Sequence, residues 1–593
     1  MSEADAAASA RGVAAESWDV VVLGSGAAGL TAALAAALAG ARAVVIEHAE
    51  RFGGTSARSS GTLWIPGNHH LGADAERDRT RARRYLEALV EGRGEPALLE
   101  AFLRHGPRML ADLERRAGLA VRPFPLAPDY RQELPGASLR GRALEPAPFD
   151  GRALGALFAR LEPPLRELLL AGGTMVTRAE AQRLLRAPRD LADAAFAVRL
   201  FARTAFDRLR GWPRGTRLVM GNALVARLAR AFLARGGTLR LGTVPVRLLR
   251  EGERVVAVEV REREGATRVL RARRAVILAG GGFPASAACR ERFLPRPVAP
   301  GTPAVDGADG STIALARALG AALAPVSEDH ALWFPSSLVP REGGGSGVFP
   351  HVVLDRPKPG MIAVDSCGRR FVDEACSYHE FVRAMYRRHR EVPAIPAHLV
   401  CDARALWSYG LGAVRPRALF VDRWVRRGYL ARATTLDELA RAIGVDPRGL
   451  AETVARVNRF AESGVDPDFG KGASAYDRAH GDPEHRPNPC LGPLREPPFY
   501  AVALWPTPLA TSLGLRIDAR ARVLDARGRP IPGLYACGAD AQHLFAGEYP
   551  GPGAQLGPAM TFAWLAARHA LGLEPEADEA DRERACAEKE RSG

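Results

Sequence analysis

The chain has 593 residues, of which 47% are hydrophobic, and its 82 Lys and Arg against 67 Asp and Glu give a net charge of +15. This composition excludes an intrinsically disordered chain and a small disulfide scaffold, and the length allows two to four domains of roughly 150 residues each. Seven cysteines, at 289, 367, 376, 401, 490, 537 and 586, show no CxxC spacing, so neither a disulfide framework nor a zinc ribbon is indicated, no metal site is expected, and a reducing compartment is the natural setting.

The first informative stretch, Val20 to Ala41, is uncharged and about as long as the ~20 residues that span a bilayer. Glycine punctuation decides against a span. A strand, Trp18 to Leu23, turns through Gly24-Ser25-Gly26-Ala27-Ala28-Gly29 into an Ala/Leu helix, and a second strand, Ala43 to Ile46, ends in Glu47. This is a βαβ dinucleotide signature: Gly24 permits the tight turn, Gly26 lets the backbone approach a pyrophosphate, and Gly29 allows close packing of helix on strand. The helix that opens at Ala27 directs N–H groups and a positive dipole end at the phosphates. Glu47, 18 residues beyond Gly29, is placed to accept hydrogen bonds from the ribose hydroxyls. The stretches Arg51-Phe52-Gly53-Gly54-Thr55-Ser56 and Ser59-Ser60-Gly61-Thr62, just beyond this acid, suit a backbone running along a flavin pyrophosphate and ring, so Gly54, Thr55, Ser56 and Gly61 join the expected cofactor contacts. No Arg-rich start or cleavage site marks a signal peptide, and the expected location is cytoplasmic.

Further along, residues 151–240 hold 17 Arg against 6 Asp and Glu, so that +11 of the +15 lies in 90 residues. Read as a helix, Asp193 to Arg210 groups Arg199, Arg203 and Arg210 within about 40° of arc, beside Asp207. Phe196, Val198, Leu200, Phe201, Phe206 and Leu209 fill much of the remainder, and Trp212-Pro213 ends the run. Residues 151–215 are therefore expected to form a basic amphipathic insertion apart from the catalytic machinery, lying on the inner face of the cytoplasmic membrane, the alternative being a helix packed on the FAD domain or on a second subunit. A strand from Ala275 to Leu278 enters Ala279-Gly280-Gly281-Gly282. Asp306-Gly307-Ala308-Asp309-Gly310 starts a helix expected to reach Leu323. Met361 to Val364, a turn at Ser366 to Gly368, and Arg369 to Glu374 read as a hairpin facing the flavin. Leu534-Tyr535-Ala536 enters Cys537-Gly538-Ala539-Asp540. Gly280, Gly538 and Asp540 complete a three-part signature that resembles fumarate reductase flavoprotein subunits and related FAD oxidoreductases. The expected fold is α/β: a Rossmann-like FAD-binding domain built from 17–150, 216–285 and 495–575, with an inserted α+β catalytic cap at 286–494 and frayed tails, the C-terminal one at 576–593.

Three of the ten tyrosines occur in distinctive contexts: Pro128-Asp129-Tyr130, Cys376-Ser377-Tyr378, and Glu548-Tyr549-Pro550-Gly551-Pro552-Gly553-Ala554-Gln555-Leu556. Together with Gly53 to Ala57 and Trp64 to Asn68, these stretches resemble the 3-ketosteroid Δ1-dehydrogenases over most of the chain outside 151–215 and the tails. The resemblance implies non-covalent FAD, to which Leu556 contributes, and 1,2-dehydrogenation of a 3-oxosteroid. It implies that Tyr549 and the Gly553 N–H hold the C3 carbonyl oxygen, the placement oxyanion stabilisation requires, and that Tyr378, assisted by Tyr130, removes a C2 proton. A free tyrosine titrates near ~10, so Tyr378 needs a stabilised phenolate or concerted transfer through Tyr130. Arg131 departs from the family, which often has a second tyrosine there. Trp333 and Phe334 are candidate pocket walls. The readings kept open are a dehydrogenase for another ring position, a fumarate reductase-like enzyme and a non-catalytic flavin-binding membrane adaptor. The electron acceptor is not legible, and no nucleic-acid module accompanies the basic stretch.

Overall fold

The strand Ala15–Leu23 lies at the centre of an eight-stranded sheet in the computed structural model, which describes residues 15–188, 190–298, 300–324 and 329–573. Its Val20, Val21, Val22 and Leu23 are completely buried, the continuous apolar run of a parallel strand covered on both faces. It pairs in parallel with Ala43–Glu47 on one side and Thr267–Leu278 on the other. Thr238–Leu241 and Pro530–Ala536 extend the parallel region, and Arg522–Leu524 closes one edge antiparallel. The hairpin of Val244–Glu251 and Arg254–Arg261 adds to Thr267–Leu278. Helices Ala27–Leu38, Met220–Leu233 and Leu556–Ala570 are apolar through most of their length. The carboxyl ends of the strands are stitched together: Gly24 N–H donates to Ile46 O at 2.8 Å, Ala279 N–H to Leu23 O at 2.8 Å and Cys537 N–H to Leu278 O at 2.9 Å. Three sequence-distant glycine turns thus meet at one edge, where open α/β sheets bind ligands.

The cap is built on a six-stranded antiparallel sheet ordered Ser346–Pro350, Ala331–Pro340, Phe499–Thr511, Ala397–Cys401, Met361–Val364, with Ala431–Ala433 also on Phe499–Thr511. The 13-residue strand Phe499–Thr511 is therefore a cap strand, and the boundary expected at 495 falls too early. The hairpin expected from Met361 is also corrected. Met361–Val364 pairs with Ala397–Cys401, and the return stretch makes a single bridge, Val364 to Arg370, because Asp365 turns back to cap the N–H groups of Cys367 and Arg369 at 2.9 and 3.0 Å. The helix after Gly310 covers Ser311–Arg317 rather than reaching Leu323, since Ala321 and Leu323 bridge to Asp525 and Leu515. Residues 576–593 and most of the N-terminal tail lie outside the described residues.

The insertion does contain a helix, Leu191–Leu209, and it docks on the protein through its polar groups rather than through its apolar side. Asp193, Thr204 and Asp207 are buried: Asp193 binds Arg183 at 2.6 Å, Thr204 bonds Thr174 at 2.9 Å, and Asp207 takes the Thr216 N–H and hydroxyl at 2.7 and 2.8 Å. The apolar side faces out, with Leu191 92%, Val198 69%, Phe206 51% and Leu209 86% exposed. Leu200 faces in, and Arg208 is spent on the Trp212 and Pro213 carbonyls. Among the described residues no helix is long and apolar enough to cross a membrane.

Candidate active site

A cavity of about 520 Å3 opens at the strand ends and runs under the cap. Gly24, Gly26, Glu47, Gly54, Thr55, Ser56, Gly280, Gly538 and Leu556 line it. Gly24 has φ +106°, and a Cβ there would lie 2.3 Å from Ala279 O; a Cβ on Gly29 would lie 1.9 Å from Gly24 O. Only glycine lets the turn, the helix and the next strand end close on one another. Gly26 has no side chain to cap the helix and the first turn carries no acid, which leaves the helix N-terminus open to an anion. Gln555 Oε1 is buried on the cavity wall with no hydrogen-bond partner among the described residues. A glycine cradle, an uncapped helix start and an unsatisfied amide oxygen together fit a flavin dinucleotide. Glu47 is held at its post: its carboxylate accepts from Ser25 N–H and Oγ at 3.1 and 2.6 Å and from Ala49 N–H at 3.0 Å.

Ala27, Gly29, Gly61 and Asp540 stand behind the cavity wall. Ala27 N–H donates to Ser56 Oγ at 3.1 Å, and Gly61 lies against Met220 and Gly221. Asp540, fully buried, accepts from the N–H groups of Gly280 at 2.7 Å and Gly282 at 2.9 Å. Its carboxylate shapes the turn that lines the cavity, rather than pointing into the cavity. Burial raises the Asp540 carboxyl above the usual range, and the glycine N–H groups and Thr312 partly offset this.

Tyr130, Tyr378 and Tyr549 converge on the far part of the cavity. The Tyr130 and Tyr378 hydroxyls are hydrogen-bonded at 2.8 Å. Tyr549 stacks on Tyr130 with centroids 5.4 Å apart and meets Tyr378 edge-on at 5.5 Å. Polar clamps hold the three carriers together. Arg142, buried, binds Asp129 at 2.6 Å and Asp78 at 3.0 Å; Asp129 also accepts from Trp64 Nε1 at 2.9 Å. These contacts fix the backbone that presents Tyr130, and the Tyr130 N–H reaches Pro550 O at 2.9 Å, beside Tyr549. The helix Tyr378–His389 starts at a Ser377 cap, and from its second turn Arg383 binds Glu548 at 2.7 Å and Asp329 at 2.9 Å. Arg356, buried, donates to the carbonyls of Glu374 at 2.7 Å and Val352 at 2.8 Å, pinning the approach to Tyr378.

Burial raises the Tyr130, Tyr378 and Tyr549 phenols above the usual range, and for Tyr130 and Tyr378 the neighbouring phenols add to it. Burial also raises the Asp129 carboxyl, to about 6, against the pull of Arg142. Gly553, at φ +95°, lies against Thr62 and Trp64: its carbonyl accepts from Trp64 N–H at 3.1 Å. Its own N–H has no protein acceptor among the described residues.

Phe334 lines the cavity with its ring 4.6 Å from that of Tyr378, whereas Trp333 is core and bonds Asp329 at 3.0 Å. Arg131 turns away from the cavity to pair with Glu133. The insertion is part of the wall, through Glu162, Leu165, Leu168, Val176, Thr177, Arg178 and Ala181; its separation from the site is corrected. Sequence reading missed Ser25, legible inside the glycine motif, and Gln555, beside Leu556. It also missed Tyr476 and His480, which no motif marks. On the surface, His69, His70 and Glu114 each bring a potential metal-ligand atom within 4.8 Å of the others, a group that spacing alone did not reveal.

The family description "FAD binding domain" matches residues 19–556. The 3-oxosteroid 1-dehydrogenase of Mycobacterium tuberculosis is 38% identical over 93% of this chain and 98% of its own length. The 4-oxocyclohexanecarboxylate 2-dehydrogenase of Sinomonas cyclohexanicum is 36% identical over 94% of this chain and 93% of its own. The crystal structure of the 3-ketosteroid delta1-dehydrogenase of Sterolibacterium denitrificans, in complex with 1,4-androstadiene-3,17-dione, superposes with a TM-score of 0.87 at 36% identity, covering 94% of this chain and 99% of that one. With near end-to-end matches of this kind around a glycine cradle that fits FAD, the chain belongs to the 3-oxosteroid 1-dehydrogenase family of FAD-dependent oxidoreductases.

Proposed function

We propose that the protein desaturates the C1–C2 bond of 3-oxosteroids. The observation that carries this reading is the meeting of three tyrosines from three separate segments at one cavity, two of them joined hydroxyl to hydroxyl at 2.8 Å. Tyr549 and the free Gly553 N–H bind the C3 carbonyl oxygen and stabilise the negative charge that develops there as the C2 proton leaves. Tyr378 removes that proton. Because burial raises both phenols, a standing phenolate is disfavoured at neutral pH; the Tyr130 and Tyr378 hydroxyls re-orient within their hydrogen bond so that Tyr378 accepts the C2 proton while its own passes to Tyr130 and the Tyr130 proton leaves to solvent. FAD held in the glycine cradle would supply the acceptor for the C1 hydride. Phe334 and the apolar wall exclude water from the reacting carbons. The test is a dye-coupled assay of the FAD-loaded protein on androst-4-ene-3,17-dione, with the product identified by mass: loss of two hydrogens to form the 1,4-diene supports the reading, and reduction or desaturation at another ring position refutes it.

The same reading includes attachment to a lipid surface through residues 151–215. The outward apolar stripe of Leu191, Val198 and Leu209 is flanked by exposed Arg199, Arg203 and Arg210, the composition of an in-plane anchor on anionic lipid. Cavity-wall residues Leu126 and Leu354, 53% and 45% exposed, give an apolar substrate a route inward. Flotation with anionic vesicles, compared between the wild type and a Leu191, Val198, Leu209→Ser triple variant, tests it; equal flotation refutes the anchor.

A further inference from the structure

Beyond the three tyrosines, the aromatic wall continues to Tyr476, whose ring meets that of Tyr130 edge-on at 5.1 Å and makes no ring contact with Tyr549. His480 follows, 4.4 Å from Tyr476. Both line the cavity, and so does Arg178, the first residue of the helix Arg178–Arg186. This end of the wall has polar capacity that the ketone chemistry does not use. Tyr476 is only 3% exposed, yet its hydroxyl has no hydrogen-bond partner among the described residues. The guanidinium of Arg178 makes one protein hydrogen bond, to the Ala479 carbonyl, and no ion pair with any described carboxylate.

The surrounding charges sharpen the contrast. Arg58, also on the wall, is neutralised by Glu162 at 2.7 Å, and Arg51 lies beside the glycine turn at the cofactor end. Near Arg178 stands a second cation, Lys358, whose Nζ donates to the carbonyls of His480 and Gly481 at 2.8 Å. Burial, with Arg178 adding repulsion, lowers the Lys358 ammonium to about 8. Asp482 is engaged by the Tyr409 hydroxyl at 2.7 Å, and Asp355 by His351 at 2.6 Å. Burial disfavours the charged form of Arg178 itself. A half-buried guanidinium without a counter-ion costs free energy that an incoming anion recovers. Its planar fork matches the two oxygens of a carboxylate, and the Tyr476 hydroxyl supplies a second donor.

We propose that Arg178 and Tyr476 form a carboxylate subsite, so that the preferred substrate is a cyclic ketone bearing a carboxylate at its non-reacting end. This rests on the ketone reading, since it requires the carbonyl to sit at Tyr549 and Gly553. Two kinds of molecule carry that chemistry: a 3-oxosteroid with an acidic C17 side chain, and a small oxocyclohexane acid.

The experiment compares each acid with its own methyl ester, for a 3-oxo-4-ene steroid side-chain acid and for 4-oxocyclohexanecarboxylate, in the FAD-loaded wild type, Arg178→Gln and Arg178→Lys. Androst-4-ene-3,17-dione serves as a neutral control, and perturbation of the flavin absorbance reads binding without turnover. The expected result is an acid-over-ester preference in kcat/KM of about 10- to 100-fold in one pair, the range for one charge-assisted hydrogen-bond pair. The pair that shows it identifies the source. Arg178→Gln removes that preference while ester and control stay within about threefold, and Arg178→Lys keeps part of it. Equal treatment of acid and ester by the wild type overturns the subsite. So does an Arg178→Gln variant that loses both alike, because the guanidinium then only ties the helix to Ala479. Should the wild type oxidise none of these ketones, the ketone reading fails, and the subsite stands or falls on whether the flavin titration still favours acid over ester.

Discussion

Replacing Tyr378 by Phe separates chemistry from structure at this site. The Tyr378 ring contacts with Phe334 at 4.6 Å, Tyr549 at 5.5 Å and Tyr130 at 5.5 Å survive the change. The loss is one hydroxyl and its 2.8 Å hydrogen bond to Tyr130, a neutral bond with a net contribution to stability of about 1 kcal/mol. That cost is small because the Tyr130 hydroxyl is left facing a cavity. In the proposed mechanism the same hydroxyl takes the C2 proton, and removing a positioned general base costs roughly 100- to 10,000-fold in rate, or about 3 to 5.5 kcal/mol of barrier. Turnover therefore falls by at least two orders of magnitude while the KM for androst-4-ene-3,17-dione and the FAD content change little. In the same proposal Tyr130 acts through Tyr378, so the Tyr130→Phe, Tyr378→Phe double variant should be no slower than Tyr378→Phe alone. Dye-coupled kinetics over a full substrate range, with thermal unfolding of each holoprotein, gives all these quantities. Wild-type-like turnover in a folded Tyr378→Phe protein, or losses in the two single variants that simply multiply, refutes the relay.

Gly553→Ala puts a Cβ 2.6 Å from Thr62 O and 2.7 Å from Trp64 N at a backbone with φ +95°; displacing the N–H proposed to meet the carbonyl should cut kcat/KM by about 100-fold or more with FAD retained, and an unimpaired rate would falsify the donor assignment. Asp540→Asn sets an amide group against the Gly280 or Gly282 N–H it now accepts from, so FAD affinity measured by flavin fluorescence should drop roughly 10- to 100-fold; unchanged affinity means the clamp does not shape the turn. His379 is fully buried, and burial, reinforced by Arg383, lowers its imidazole to about 3. The folded state therefore binds fewer protons than the unfolded chain, and the stabilisation it contributes is complete above ~6.5 and is lost as pH falls from there toward 3, by about 2 kcal/mol at pH 5. His379→Asn, whose amide oxygen can replace Nδ1 as acceptor of the Trp333 N–H, should lose correspondingly less thermal stability between pH 7.5 and 5.0; identical losses in the two proteins refute that assignment.

Local chemistry made the cofactor end legible in the sequence. Gly24, Gly26 and Gly29 occur where a strand must turn into a helix within a few residues, and the apolar runs Val20 to Leu23 and Ala275 to Leu278 could only be buried parallel strands, so an FAD-binding α/β fold followed from short-range constraints. The tyrosine contexts were equally local, and all three tyrosines do line one cavity. What spacing could not convey was how polar groups are spent across long separations. Asp540 looked like a ligand because it follows a strand-to-glycine turn, but two N–H groups some 260 residues earlier in the chain claim its carboxylate. The Leu191–Leu209 helix has a periodicity that fits either orientation; the partners Arg183, Thr174 and Thr216 turn Asp193, Thr204 and Asp207 inward and leave Leu191 and Leu209 outward. Arg178, Tyr476 and His480 belong to no motif, and only the docking of the insertion against the cap brings them to one end of the cavity. An amphipathic pattern fixes which residues share a face; which face is buried depends on the partners the rest of the chain supplies.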